Sequence, residues 1–385
     1  MAATTTPGVS FTKFKTLIES AITRRSNFSY THRKAIHFHW ANDNTHPDLD
    51  LLSLEKMCEH IGFAKPDSHV LEESNPLPGY TMRTKIDDEV KAAIHRPGRT
   101  ILIIHYAGHG TDNGSGELVL SDRWGKKLAR ADFLLAPVES TELASDAPID
   151  VLYIFDCCFS FLATRQINAR SRLVEVLVAN DYRNPSALGP LSGHSFTSKL
   201  YLEVRDRAQR GEKLIEIAQI MDKLQQSAVV RAPSHAVKIG LGSIVLPLSP
   251  FPNPRSATST SSQPAYRPGL LASFTIHTTE PCNEVDIQSA ANWAESFPQS
   301  KTLSLHYEGS KRVNSTLFFF EVQHLAFLRI AGAPGVTLIC QNKPYTWNDP
   351  SQRAHFTGSV ENSGVNDENE PPCNTHRTCN IQKYF

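Results

Sequence analysis

Apolar positions in this chain fall into two patterns: short unbroken or alternating runs, and longer segments in which they return every three or four residues. The first pattern predicts strands and the second amphipathic helices. After a polar arm, Phe11, Phe14, Leu17, Ile18 and Ile22 sit at helical spacing. Residues 34–40 alternate and read as a strand, followed by a polar loop rich in Asn and Asp. Leu51 to Phe63 reads as a helix closed near Gly62, and residues 68–72 as a short strand. Met82, Ile86, Val90 and Ile94 mark a helix over 81–95, stopped ahead of Pro97.

Two runs, ILIIHYAGHG (101–110) and VLYIFDCCFS (151–160), are strands that each end in a reactive residue. Between them lie a Gly-rich, hairpin-like excursion and a short helix at 131–135. Beyond them the spacing predicts a strand over 173–179, helices over 195–210 and 214–226, and a last strand over 236–246. Strands alternating with helices imply an α/β domain with a largely parallel sheet covered on both faces. A site is expected at the carboxyl ends of its strands.

Residues 249–269 are rich in Pro, Ser and Thr and read as a linker. The pattern then changes to strand (270–278), helix (285–297), strands (302–307 and 315–320), helix (322–330) and strand (336–340). That βαββαβ order is ferredoxin-like, a small α+β domain. The chain therefore divides into an N-terminal arm and helix (1–33), an α/β domain (34–248), the linker (249–269), a small module (270–342) and a tail (343–385). The tail has few apolar residues and is expected to be disordered.

Composition narrows the function. With 40% apolar and 20% charged residues over 385 positions, two domains with tails is the natural expectation. The 39 basic residues balance 39 acidic ones, so no overall field favours nucleic acid or an anionic membrane. The sequence shows neither a secretory signal pattern nor an apolar run of membrane-spanning length. Cysteines at 58, 157, 158, 282, 340, 373 and 379 are odd in number and scattered, which argues against a disulfide framework. A reducing cytoplasm is the expected location, and it would keep Cys158 as a usable thiol.

The candidate chemistry is a Cys–His pair. A thiol attacks a peptide carbonyl as thiolate, and a nearby imidazole takes its proton and returns it to the leaving amine. His109 between Gly108 and Gly110 is the candidate base, and Cys158 the candidate nucleophile. The amides of Gly110 and Cys158 are candidate oxyanion donors. The separation, 158 − 109 = 49 residues, resembles the caspase arrangement of a His about 50 residues upstream of the Cys.

HYAGHG (105–110) and DCCFS (156–160) resemble the two signatures of the metacaspases, over roughly residues 34–247 by element order. The resemblance implies a caspase-like fold and a thiol protease acting in proteolysis. It places the nucleophile at Cys158 rather than Cys157, and the base at His109. Asp156 matches the acid of the first specificity pocket, which implies cleavage after Arg or Lys. Ala107 stands on the pocket wall where the family has Ser. The resemblance further implies a part in regulated cell death (apoptosis) or stress response. The C-terminal module resembles the small domain behind caspase-like domains in many filamentous-fungal proteins.

Two departures count against a straightforward transfer. The family's His-Ser-Gly after the cysteine is Phe159-Ser160-Phe161 here. Acids for an activating calcium are not evident: Asp112, Glu117, Asp122 and Asp132 follow His109, and no acid follows Cys158 before Glu175. No cofactor and no metal site is expected. The partners expected are polypeptide substrates. A caspase-like scaffold without catalysis, recruiting a protein through 270–342, is the alternative.

Plainer readings apply to the other conspicuous residues. Cys157 is expected in the core, and His105 as a satisfied structural histidine. His37 and His39 are expected on a half-exposed polar strand face. Cys373, His376 and Cys379 are read as solvated tail. The Arg-rich segment 163–172 reads as an exposed loop and a candidate self-cleavage site.

Overall fold

The computed structural model describes residues 9–16, 30–139, 147–164, 172–181, 184–228, 231–239, 243–249, 271–296, 305–312, 315–323, 327 and 335–342. The linker, the tail and most of 163–172 lie outside these residues, as do Cys373, His376 and Cys379.

The larger body is built on six strands. These are β1 (Tyr30–Trp40), β2 (Asp67–Leu71), β3 (Arg99–Ala107), β7 (Ile149–Asp156), β8 (Val174–Val178) and β10 (Ser234–Ile239). Their order is β10-β8-β7-β3-β1-β2. Every pairing is parallel except that of β10 with β8, so the largely parallel sheet expected from the pattern is present. The unbroken runs at 101–107 and 149–156 are its two central strands, buried on both faces as parallel strands must be.

Alternation along these strands feeds two separate cores. Leu102, Ile104, Tyr106, Val151, Tyr153, Phe155 and Cys157 join one with α2 (Pro78–His95) and α3 (Asp132–Glu139). Ile101, Ile103, Leu152 and Ile154 join the other with α1 (Pro47–His60), α4 (Phe196–Gln209) and α5 (Ile217–Ser227). Ile101, Ile103, Val151 and Tyr153 have no exposed surface at all. Burying each aliphatic side chain of this kind contributes about 1.5–3 kcal/mol.

Several boundaries differ from the pattern. Helices α1 and α2 begin several residues earlier than expected, because Pro47 and Pro78 stand in their first turns, where a missing N–H costs nothing. The expected helix over 214–226 opens instead with strand β9 (Leu214–Glu216), and the expected strand over 236–246 is two. Its second part, β11 (Val245–Pro247), pairs with β9 away from the main sheet. The Gly-rich excursion is a three-stranded antiparallel ribbon of β4 (His109–Asp112), β5 (Leu118–Ser121) and β6 (Leu128–Arg130).

The smaller body contains β12 (Leu271–His277), α6 (Glu284–Ser296), β13 (Leu305–Arg312), β14 (Thr316–Gln323) and β15 (Val336–Asn342). Its sheet order is β13-β14-β12-β15, all antiparallel. The expected helix over 322–330 does not begin at 322, since Val322 and Gln323 end β14; of the rest of that span only Phe327 lies among the described residues. Residues 11–16 are helical, and Val9 and Phe14 belong to this body's core with Phe274, Phe318, Phe320 and Trp293. The Val9 N–H donates to the carbonyl of His277 at 3.0 Å.

Candidate active site

The sheet brings the two motifs together. Ala107 and Asp156 are partners at the carboxyl ends of adjacent strands β3 and β7, so the segments that follow leave the sheet side by side. Gly108 lies at φ 142°, a conformation open to glycine, and its N–H donates to the carbonyl of Asp156 at 3.3 Å. Gly110 is held closer still. A Cβ built on it would lie 2.3 Å from the carbonyl oxygen of Cys158 and 2.9 Å from the sulfur of Cys157. Only a residue without a side chain permits this approach of the His109 and Cys158 segments.

His109 is fixed through groups from the loop after β1. Its Nε2 is 2.7 Å from Asn44 Oδ1, and its backbone N–H donates to Asp43 Oδ2 at 3.3 Å. The same imidazole lies 3.9 Å from the other oxygen of the fully buried Asp43 side chain. Asp43 is held in turn by the backbone N–H and hydroxyl of Thr45. Tyr106 donates its hydroxyl to the carbonyl of His109 at 2.8 Å. Asp43 and Asn44 were hidden in a sequence loop that only looked polar.

Cys158 is partly exposed, and its sulfur accepts the N–H of Ala187 at 3.3 Å. Cys157 is fully buried in the core on the other side, and burial drives its thiol pKa well up. The residue after Cys158, Phe159, adopts φ 56°, the left-handed region that bulky residues avoid. Backbone strain of this kind is characteristic of functional turns. Phe159 N–H donates to the Pro185 carbonyl at 2.6 Å, and its own carbonyl accepts from Leu162, which hold the strained turn.

Asp156 turns toward the other face of the sheet. Its Oδ2 accepts from both the backbone N–H and the hydroxyl of Thr197, each at 2.8 Å, in the first turn of α4. An anion is at home at a helix N-terminus. The carboxyl is only 5% exposed, and burial lifts its pKa to about 6 against the pull of the Thr197 bonds. Its neighbour Asp50, which accepts the Ser195 hydroxyl at 2.6 Å, is lifted to about 8 by burial and then by the charge on Asp156. Ala107 has no exposed surface.

The expectation of a half-exposed face holds for His39 but needs correction for His37. His37 is fully buried, and the pair belongs to a chain of hydrogen bonds crossing the sheet. His39 Nδ1 meets His37 Nε2 at 3.0 Å, His37 Nδ1 meets His105 Nδ1 at 2.7 Å, and His105 Nε2 meets Thr197 Oγ1 at 2.9 Å. The Thr197 hydroxyl donates to Asp156, which fixes every tautomer in the row. His105 carries its proton on Nε2, His37 on Nδ1 and His39 on Nδ1, with His37 and His105 each accepting one bond and donating the next. Burial keeps the imidazoles neutral: His105 is lowered to about 3, and His37 falls well below its usual value. His105 is therefore a satisfied structural histidine, as expected.

The acids weighed for calcium serve turns and ion pairs. Asp112 Oδ1 accepts the N–H groups of Gly114 and Gly116, and Asp122 Oδ1 those of Lys126 and Lys127. Glu117 and Asp132 both meet Arg130. Among the described residues no cluster of three or more His, Cys, Asp or Glu is arranged to hold a metal ion. None of their helices is long and apolar enough to cross a membrane.

No family model matches this sequence, and no curated protein does. Among solved structures it is similar to drICE, a caspase, at 10% sequence identity. That match covers 55% of this chain and 95% of the other, with a TM-score of 0.28. At that score the likeness assigns neither fold nor activity.

Proposed function

We propose that this protein is a cysteine endopeptidase of the metacaspase kind. The observation that carries the reading is the close seating of Gly110 on the Cys157–Cys158 backbone, with His109 oriented by Asn44 and Asp43 beside it. Cys158 attacks the scissile carbonyl; His109 takes the thiol proton and delivers it to the departing amine. The Gly110 and Cys158 amides receive the oxyanion. Asp156, whose charge helps raise the pKa of the neighbouring Asp50, selects a basic side chain. A guanidinium or ammonium arriving at this acid pair takes the place of the proton that burial and the charge on Asp156 make Asp50 hold.

The scaffold reading has one specific observation in its favour: the Asp156 carboxylate is nearly enclosed and already engaged by Thr197. Fluorogenic peptides ending in Arg and in Asp separate the two, assayed on wild type and Cys158→Ala with and without calcium. Arg-selective turnover lost in the variant supports the peptidase. Absence of Cys158-dependent turnover under every condition favours a scaffold that works through protein contacts.

A further inference from the structure

Asn180 lies two residues beyond the end of β8, a strand that carries neither motif, and is fully buried. Its side chain spans the turn that holds the nucleophile. Nδ2 donates to the carbonyl of Cys157 at 2.7 Å, and Oδ1 accepts the N–H of Phe161 at 3.2 Å. The partners fix the amide's orientation, since a carbonyl can only accept and an N–H can only donate.

The Cys157 carbonyl and the Cys158 N–H belong to one rigid peptide plane. Anchoring the oxygen therefore fixes the direction of the N–H on its far side. A hydrogen bond to that oxygen also draws electron density through the amide and makes its N–H a stronger donor. The second bond, to Phe161, closes the clamp across Cys158, Phe159 and Ser160, the stretch that contains the left-handed residue. A turn with unfavourable backbone geometry needs such a brace to hold one conformation.

We infer that Asn180 is a positioning residue, which aims and polarises the Cys158 N–H at the oxyanion formed during acyl transfer. The inference rests on Cys158 being the nucleophile of a peptidase. Asn180 itself touches neither thiol nor substrate; it acts through the peptide group it holds. Its removal weakens an oxyanion donor while leaving the Ala187 N–H on the sulfur in place.

The test compares two reactions of the same sulfur in full-length wild type and Asn180→Ala. Peptide hydrolysis passes through an oxyanion; alkylation of Cys158 by iodoacetamide does not. The expected result is a fall in kcat of roughly ten- to a hundredfold with KM nearly unchanged. Alkylation at Cys158, followed by mass spectrometry, should stay within about twofold of wild type, far less than the loss an oxyanion donor carries. Should Asn180→Ala fail to fold, Asn180→Leu fills the site and removes the same donor. Alkylation falling in parallel with kcat would show that Asn180 only holds the turn together, and would overturn the inference. So would an unchanged kcat. Wild type that alkylates at Cys158 but hydrolyses nothing overturns the peptidase reading, and the inference falls with it.

Discussion

Phe159 offers a test in which the sign alone decides. At φ 56° a residue with a side chain sits where Cβ crowds the following carbonyl, at a cost of about 1–2 kcal/mol. Its ring is half-buried against the first core, so truncation also loses packing. Comparing Phe159→Ala with Phe159→Gly cancels that loss, because both variants remove the ring. At an ordinary position glycine is less stable than alanine by about 0.5–1 kcal/mol, the entropy of its freer unfolded backbone. Here relief of the left-handed conformation outweighs that term, and glycine should be more stable than alanine by roughly 0.5–1 kcal/mol. Urea unfolding in a Cys158→Ala background, which excludes self-digestion, gives the comparison from midpoints at equal slope. Alanine more stable than glycine by the ordinary margin would mean that the turn beside Cys158 carries no strain and is not held in an unfavourable conformation.

Three further outcomes follow from the geometry. Gly110→Ala places a Cβ 2.3 Å from the Cys158 carbonyl oxygen, a backbone atom that cannot swing aside, so the His109 and Cys158 segments must part. A shift on the scale of 1 Å at reacting groups costs on the order of a hundredfold, which kcat/KM would show. The buried imidazoles set an acid limit: folded His105 stays neutral down to about 3, whereas the unfolded chain takes up its proton near 6.5. Stability from this group is present above pH 6.5 and is lost as pH falls from there toward 3, so His105→Gln should flatten the fall in Tm over that window. Asp50 acts in the opposite sense, its folded carboxyl holding the proton up to about 8 against 3.8 unfolded. The contribution of Asp50 is therefore lost as pH rises from about 4 to about 8, and Asp50→Asn should gain on wild type in Tm between pH 5 and pH 9.

The two central strands and their reactive ends were legible because a strand buried on both faces leaves an unbroken apolar run, and such runs are rare. Cys157 could be assigned to the core from alternation alone. The failures have physical causes. The segment 214–216 carries helix-like spacing yet pairs with 245–247, because three residues are too few for periodicity to outweigh a partner distant in sequence. His37 looks like part of an exposed polar face until His105 and Thr197 arrive from β3 and α4 to satisfy the row. Asn180, Asp43 and Asn44 act through bonds across long sequence separations, and a single Asn or Asp in a loop has no local signature for that. Nor does spacing reveal that Val9 and Phe14 join a core whose other members begin at residue 272.

What unites the site is the origin of its supports. Loops carry unpaired peptide groups and little apolar surface, so packing alone cannot hold them in one geometry. Here each segment of the pair is held by a buried polar side chain from elsewhere in the chain. Asp43, beyond β1, takes the N–H of His109; Asn180, beyond β8, takes the carbonyl of Cys157; Asp156, ending β7, takes the first turn of α4. The row of neutral histidines carries the last of these across to β1. These bonds add little net stability, since each replaces bonds to water. Their effect lies in orientation, and orientation bears on rate more steeply than on folding. Removing the donor of one clamp should therefore register in kcat well before it registers in Tm, whereas cutting into the apolar runs of β3 or β7 should do the reverse.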